Sequence, residues 1–466
     1  MRRNNSLAMA MRFSWPDKSK HSKGAFDIVR KLRKVGHKAY IAGGAVRDAL
    51  LKRKVEDIDI ATSAAPAKVK KLFLKTIPTG EKHGTITVRL GKMNYEVTSF
   101  RTESAYESRR RPKAVSFVAS PEKDAKRRDF TLNALFYDPE ASHILDFVGG
   151  LADLRRGLIR TVGSPDARLR EDALRLMRAA RFATVLNLSI ERETRSAVKK
   201  NAKLIRKISA ERIKAELDKI ISSDRAPAGI GLLDELGLLQ FILPELKDCQ
   251  RVTQQKDKHA EGDVYTHSIL SLENSESQDL ATRYATLFHD LGKVKTRAVK
   301  NGKITFYKHP QEGSEIVKRV CGRLRFSKND AEKIIWLVKS HMVPDEFINM
   351  RPGTRRRWGL SPYFGDLLAV HKADAIASLG PNGAASHDTR PYEQGLKILK
   401  EIKSRPELGR PIISGNDVMK ILKIKSGPSV GKILRHIEEK KLAGKFSSKK
   451  QALDYLQKNK KYFVKY

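Results

Sequence analysis

The chain is 466 residues long, is 40% hydrophobic, and carries 93 Lys and Arg against 53 Asp and Glu for a formal charge of +40. At roughly 100 to 200 residues per domain this predicts about three domains with sizeable cores and excludes disorder over the whole chain. The most apolar stretch, Gly229 to Leu243, contains Asp234 and Glu235, so no segment reaches the roughly 18 uninterrupted apolar residues of a membrane span and no membrane partner is expected.

Residues 1–24 are basic and lack the apolar core of a signal peptide, so they read as a solvated N-terminal tail. A helix is predicted over Phe26 to Val35, followed by a strand over Ala39 to Ala42, the pair Gly43-Gly44 and a second helix. Val55 to Ile60, Ile86 to Leu90 and Tyr95 to Phe100 alternate as strands do, and Leu135 to Tyr137 and His143 to Phe147 add two more. Residues 25–160 therefore form a mixed α/β head. From Asp166 onward helical patterns follow one another, giving an α+β chain whose helical remainder divides into 161–250, 251–385 and 386–466. The last segment is Lys-rich, yet Val418, Ile421, Leu422, Ile433, Leu434 and Ile437 recur at helical spacing, so it reads as a folded basic module.

The basic excess favours a polyanionic partner, with nucleic acid foremost. Cys249 and Cys321 lie outside any CxxC spacing, which argues against a disulfide framework or a cysteine zinc site and fits a reducing cytoplasm. Nothing in the sequence bears on oligomeric state.

Within Val55 to Ile60 the period of two sends Asp57 and Asp59 to one face of the predicted strand, a carboxylate pair suited to Mg²⁺. Such pairs also occur by chance on exposed strands. The segment Gly43-Gly44-Ala45-Val46-Arg47-Asp48 upstream sets this one apart, because glycines opening a helix beside an arginine suit a triphosphate; a tight turn with an Arg47–Asp48 surface pair is the plainer alternative. Arg127 to Ala134 packs Arg128, Asp129 and Asn133 among apolar anchors, and Glu96 is a candidate third carboxylate.

Along Glu171 to Phe182, predicted as one helix, Asp172, Arg175, Arg178 and Arg181 recur every third residue as a polar stripe. A salt-bridged surface is one reading. The other is a base reader: a carboxylate accepts from an exocyclic amino group while a guanidinium donates to a ring nitrogen, a pattern that cytosine and adenine satisfy and uracil and guanine do not.

The ordered set GGAVRD, EDIDIA, GEKHGTITV, YEVTSFR, RRRPKAVSF, RRDFTLNAL, DFVGG, EDALRLMRAARF and AERIKAEL, over residues 40–220, resembles the bacterial class II tRNA nucleotidyltransferases of the polymerase β superfamily. The resemblance implies a polymerase β-like sheet in the head and catalytic Mg²⁺ on Asp57 and Asp59. It implies that Gly44, Arg47 and Arg128 contact the triphosphate or ribose side and that Asp172, Arg175, Arg178 and Arg181 form the nucleotide-binding helix; Gly43, Asp129 and Asn133 are further nucleotide-binding candidates. It further implies CTP and ATP as substrates and the 3′ end of tRNA as the partner. Relatives adding only CC, only A or poly(A) tails share most of these motifs; Thr102 to Arg111 resembles the flexible loop that CC-only members lack, which disfavours that product.

His267, His289-Asp290 and Asp374 fall on the ligand pattern of the HD phosphohydrolase superfamily, with His309, Glu312 and His341 nearby in the sequence. That similarity implies an HD-type bundle with a second divalent or transition metal. The expected function is template-independent CCA addition by two-metal phosphoryl transfer; within the class an A-adding enzyme or a poly(A) polymerase is the rival, and outside it an HD-type phosphohydrolase or a non-catalytic RNA binder.

Overall fold

The Gly91 backbone, at φ 61°, turns the chain between the strands Thr85–Leu90 and Met93–Ser99. Their antiparallel register, from Thr85 opposite Thr98 to Leu90 opposite Met93, puts Ile86, Val88, Tyr95 and Val97 together on a buried face. This hairpin belongs to an eight-stranded sheet in the order Met9–Arg12, His143–Asp146, Leu135–Asp138, Ala39–Ala42, Asp59–Thr62, Met93–Ser99, Thr85–Leu90, Thr76–Gly80. One pairing matters for the site: Asp59–Thr62 runs parallel to Met93–Ser99, with Ile60 beside Val97. The helix Lys20–Lys34 buries Ala25, Ile28, Val29 and Leu32 in the core of this sheet. The computed structural model describes residues 9–103, 106–107, 111–112, 115–385 and 388–463. By contacts the chain divides into two units, 1–242 and 243–466.

The expected N-terminal tail is in part a strand. Met9–Arg12 pairs antiparallel with His143–Asp146, and Trp15 is 6% exposed. Met11, Phe13 and Trp15 recur at every second position and pack on the core, a short strand period hidden by the basic composition around it. The first helix also starts earlier than Phe26, at Lys20, because the Ser19 side chain caps it by accepting from the Ser22 N–H. Residues 1–8 lie outside the described residues.

Past the head the first unit is mainly helical, Pro165–Glu171, Leu174–Leu186, Arg192–Asn201, Ala210–Ile221 and Ala226–Glu235, with the short strand Ser189–Ile190 pairing parallel with Leu158–Ile159. The single helix expected over Glu171 to Phe182 is broken at Asp172, whose backbone is extended (φ −135°, ψ 107°). Its side-chain Oδ1 accepts from Leu174 N–H at 3.0 Å, a local bond by which Asp competes with the helix ladder. Part of the expected flexible loop, residues 104–105 and 108–110, lies outside the described residues.

Among its described residues the second unit is helical apart from one hairpin, Arg297–Lys300 with Lys303–Phe306, which the reading of the sequence missed. Asn301 and Gly302 stand at φ 51° and 74°, the positive values a two-residue hairpin turn demands, and the Asn-Gly pair was its signal. The C-terminal helices Gly415–Leu422, Pro428–Leu442 and Lys449–Lys458 close on their own cluster, with Val418, Ile433, Ile437 and Leu456 buried. Among the described residues no helix is long and apolar enough to cross a membrane.

Candidate active site and candidate metal centre

A cleft of about 1350 Å³ opens in the first unit, and every head and stripe residue singled out in the sequence lines it: Gly43, Gly44, Arg47, Asp57, Asp59, Arg128, Asp129, Asn133, Asp172, Arg175, Arg178 and Arg181. Asp59 is the first residue of its strand and Asp57 precedes it, so the carboxylates are not presented by a common strand period as expected. The parallel register instead supplies Glu96: it precedes Val97 as Asp59 precedes Ile60, which seats the two acids side by side. The Asp59 side chain opens into the cleft, yet the protein around it strips hydration. Burial first, then the Glu96 and Asp57 charges, push its carboxyl up to about 6 against the pull of Arg128. An all-oxygen donor set with a surplus of negative charge fits a hard divalent cation such as Mg²⁺.

Gly43 has φ 73° and ψ −127°, a conformation open to glycine, and an added Cβ would lie 3.0 Å from Arg128 Nη1. Arg128 in turn donates Nη1 to the Asn133 carbonyl at 3.0 Å and pairs with the buried Asp124 at 3.1 Å. Arg47 is buried, and its fork donates to both oxygens of Asp48, at 2.9 and 2.8 Å, while Nη1 donates to Asn133 Oδ1 at 2.6 Å. The Arg47–Asp48 pair thus forms, inside the cleft wall. Asn133 Nδ2 continues to Asp129 Oδ1 at 3.2 Å, and Asp129 Oδ2 accepts from Arg178 Nε at 2.7 Å. Burial would raise the Asp129 carboxyl, but Arg178 and the Phe130 N–H hold it down to about 2. The line Asp48, Arg47, Asn133, Asp129, Arg178 is one hydrogen-bonded network joining the head to the helical segment.

The stripe is both ion-paired and cleft-lining. Arg181 Nε meets Glu216 Oε2 at 2.7 Å and stacks 4.0 Å over Phe182, and burial pushes its guanidinium down to about 10. Asp172 and Arg175 form no ion pair with each other; each has a separate partner. Arg175 Nη1 donates to Glu171 Oε2 at 2.6 Å, whereas Asp172 is gripped by Arg212 Nη2 at 2.8 Å. The helix break explains this, since it turns Asp172 away from the register that Arg175 keeps. Arg212 and Glu216 were missed as functional candidates; their signal was the i, i+4 spacing within AERIKAEL, on the helix Ala210–Ile221.

In the second unit the four predicted HD residues converge. His267 Nε2 lies 2.9 Å from Asp374 Oδ1, and His289 Nε2 lies 3.3 Å from Asp290 Oδ2 and 3.6 Å from Asp374 Oδ1. His309 and His341 join them, their Nε2 atoms 3.4 and 3.8 Å from Asp290 Oδ1. The imidazoles share one orientation. Nδ1 faces Glu261 in His267 at 2.9 Å, the Thr286 carbonyl in His289 at 2.7 Å, the Phe306 carbonyl in His309 at 2.9 Å and the Val338 carbonyl in His341 at 2.7 Å. With Nδ1 on the outer side, all four Nε2 atoms point inward, as in outer-shell-fixed metal sites. His309 Nε2 and His341 Nε2 then face each other at 3.2 Å with no proton between them, and His289 Nε2, fully buried, makes no hydrogen bond of acceptable geometry. Burial, together with His289 and His309, pushes His341 down to about 3, so it is neutral and free to ligate. A divalent or transition metal fits this donor set. Glu312 is no part of it: it meets Lys295 at 4.0 Å.

Three family models match the chain: "Poly A polymerase head domain" over residues 39–160, "Probable RNA and SrmB- binding site of polymerase A" over 187–250, and "HD domain" over 264–376. The chain is 35% identical to a CCA-adding enzyme of Bacillus velezensis, with 91% of this chain and 95% of the relative covered. It is 34% identical to one of Ligilactobacillus salivarius, with 92% and 95% covered. A solved CCA-adding enzyme of Bacillus stearothermophilus in complex with CTP superposes with a TM-score of 0.70 at 28% identity, covering 96% of this chain and 99% of that one. The chain belongs to the CCA-adding enzyme family.

Proposed function

We infer that this chain adds C, C and A without a template to the 3′ end of tRNA, using CTP and ATP. The observation that carries the reading is one cleft that unites the acids Asp57, Asp59 and Glu96 with the base-reading candidates Asp172, Arg175 and Arg178. Asp57 and Asp59 are assigned as the Mg²⁺ ligands, with Glu96 beside them. Bound there, magnesium supplies Lewis-acid activation of the 3′-hydroxyl and neutralises charge on the triphosphate.

The chain's own residues do the rest. Gly43 leaves room for Arg128, and Arg47 and Arg128, braced by Asn133 and Asp124, offer rigid guanidinium donors to phosphate oxygens. Asp172 spends lone pairs on Leu174 and Arg212 but keeps acceptor capacity for an exocyclic amino group. Arg175 and Arg178 supply donors for the ring edge. Uracil and guanine would place a carbonyl or a ring N–H against these groups and leave buried polar atoms unmatched, which rejects them.

The HD centre is assigned a divalent or transition metal held by His267, His289, Asp290 and Asp374, with His309 and His341 completing it. The module 386–466 is assigned to the tRNA body. Two buried free cysteines, Cys249 and Cys321, support action in a reducing cytoplasm.

The test is substitution of Asp57 and Asp59 by Asn. Each variant is expected to lose CTP incorporation by at least about 100-fold, the scale of deleting one preorganised electrostatic group, with tRNA affinity unchanged. Near-wild-type incorporation by either would remove that residue from the site.

A further inference from the structure

The exposed side chains of the hairpin Arg297–Lys300 with Lys303–Phe306 take no part in the assignments above, yet its last residue and the helical turn before it are tied into the HD centre. On one side Lys293 Nζ lies 2.6 Å from Asp290 Oδ2; on the other the Phe306 carbonyl meets His309 Nδ1 at 2.9 Å. The hairpin is also pinned from beneath, since Arg297 Nη2 donates to Thr253 Oγ1 at 2.9 Å and Ile304 N–H donates to Gln255 Oε1 at 3.1 Å. It is a fixed projection beside the centre.

Its outer face is unusual for a hairpin that only has to fold. Lys300 stands directly opposite Lys303, a like-charge cross-strand pair that costs stability. Neither lysine has a carboxylate within salt-bridge distance among the described residues. Strand alternation brings Tyr307 to the same face, where it is 70% exposed and Lys300 Nζ sits 5.4 Å over its ring. From Leu291 to Gln311 there is no Asp or Glu. An exposed aromatic ring beside uncompensated ammonium groups matches single-stranded nucleic acid, where a base stacks and phosphates take the charge. Tyr307 is two residues from His309, at most about 7 Å of backbone, which places this face close to the centre.

We propose that this hairpin face, Lys300, Lys303 and Tyr307, is a platform for a single-stranded RNA end whose terminal phosphate lies at the HD centre. The placement of the phosphate rests on the metal assignment above; the platform itself does not.

The test uses the full chain with saturating tRNA, so that the remaining basic surface is occupied, and a labelled RNA hexamer with a 3′-phosphate as probe. The double variant Lys300→Glu/Lys303→Glu is expected to weaken hexamer binding at least about tenfold. Its salt slope should flatten by about 1.4, two phosphate contacts at about 0.7 each. Tyr307→Ala should weaken binding about fivefold or more through lost stacking, and both variants should keep CCA addition, which reports that they fold. Wild-type binding by the variants overturns the platform, as does hairpin-dependent binding to phosphatidylglycerol vesicles in place of the hexamer. Equal wild-type affinity for the hexamer with and without its 3′-phosphate overturns the placement at the centre alone.

Discussion

Arg212 holds Asp172 by two bonds, Nη2 to Oδ2 at 2.8 Å and Nη1 to Oδ1 at 3.3 Å, across a break between two helices. The bidentate fork fixes the plane of a carboxylate that an extended backbone would otherwise let swing. If Asp172 reads the base as proposed, base selection depends on a residue that need not touch the base. Arg212→Ala is expected to relax discrimination against UTP and GTP by about tenfold or more while changing the rate with CTP less. A competition assay with all four nucleotides reads this; intact selectivity would remove Arg212 from the reading of the base.

Asp59 provides a pH test. Its carboxyl, at about 6 in the metal-free protein, must lose its proton before it can bind Mg²⁺. Mg²⁺ affinity should therefore fall about tenfold between pH 7.5 and pH 5, as proton and metal compete for the same oxygens. The sign is opposite for the metal-free fold: a raised pKa means the folded state takes up the proton first, so this group's stabilising contribution is present at low pH and is lost as pH rises through about 6. Glu96→Gln should move the midpoint of Mg²⁺ binding down, because one of the charges that raises Asp59 is gone. Calorimetric titration at several pH values reads both effects, and a flat profile would contradict the carboxylate cluster.

Gly43→Ala puts a side chain at φ 73° and a methyl 3.0 Å from Arg128 Nη1. A destabilisation of about 1 to 3 kcal/mol is expected from backbone strain, with a higher KM for CTP because Arg128 must move. Denaturant unfolding and steady-state kinetics measure the two; an unchanged KM would separate Gly43 from the triphosphate site.

At the HD centre, His309→Ala and His289→Ala should each reduce bound transition metal and spare CTP incorporation, since the cleft proposed for addition is lined by residues of the first unit. Elemental analysis of purified protein checks the first part and primer extension the second. Full metal content in both variants would contradict the inward-pointing Nε2 arrangement.

The sheet was legible where period two is long or bounded by glycine, as in Thr85–Leu90 and Met93–Ser99, and the HD quartet was legible because residue types alone carry it. Three features were not. Met9–Arg12 is a strand whose alternation sits in a basic segment, so composition masked the period. The break at Asp172 follows from a side-chain bond to Leu174 N–H, and a three-residue stripe looks the same on one helix or two. The i, i+4 spacing of Arg212 and Glu216 sets them on one helix face, but their pairing with the stripe comes from tertiary packing between separate helices, which that spacing does not specify.

The central claim is that one cleft accepts both C and A and stops after three additions. The measurement that tests it most directly is sequencing of the product formed when tRNA ending at the discriminator base is incubated with CTP, ATP and Mg²⁺. A homogeneous CCA end is expected, with an unstructured oligonucleotide barely extended. Addition of A alone to tRNA already ending in CC, or long A tails on unstructured RNA, would contradict it.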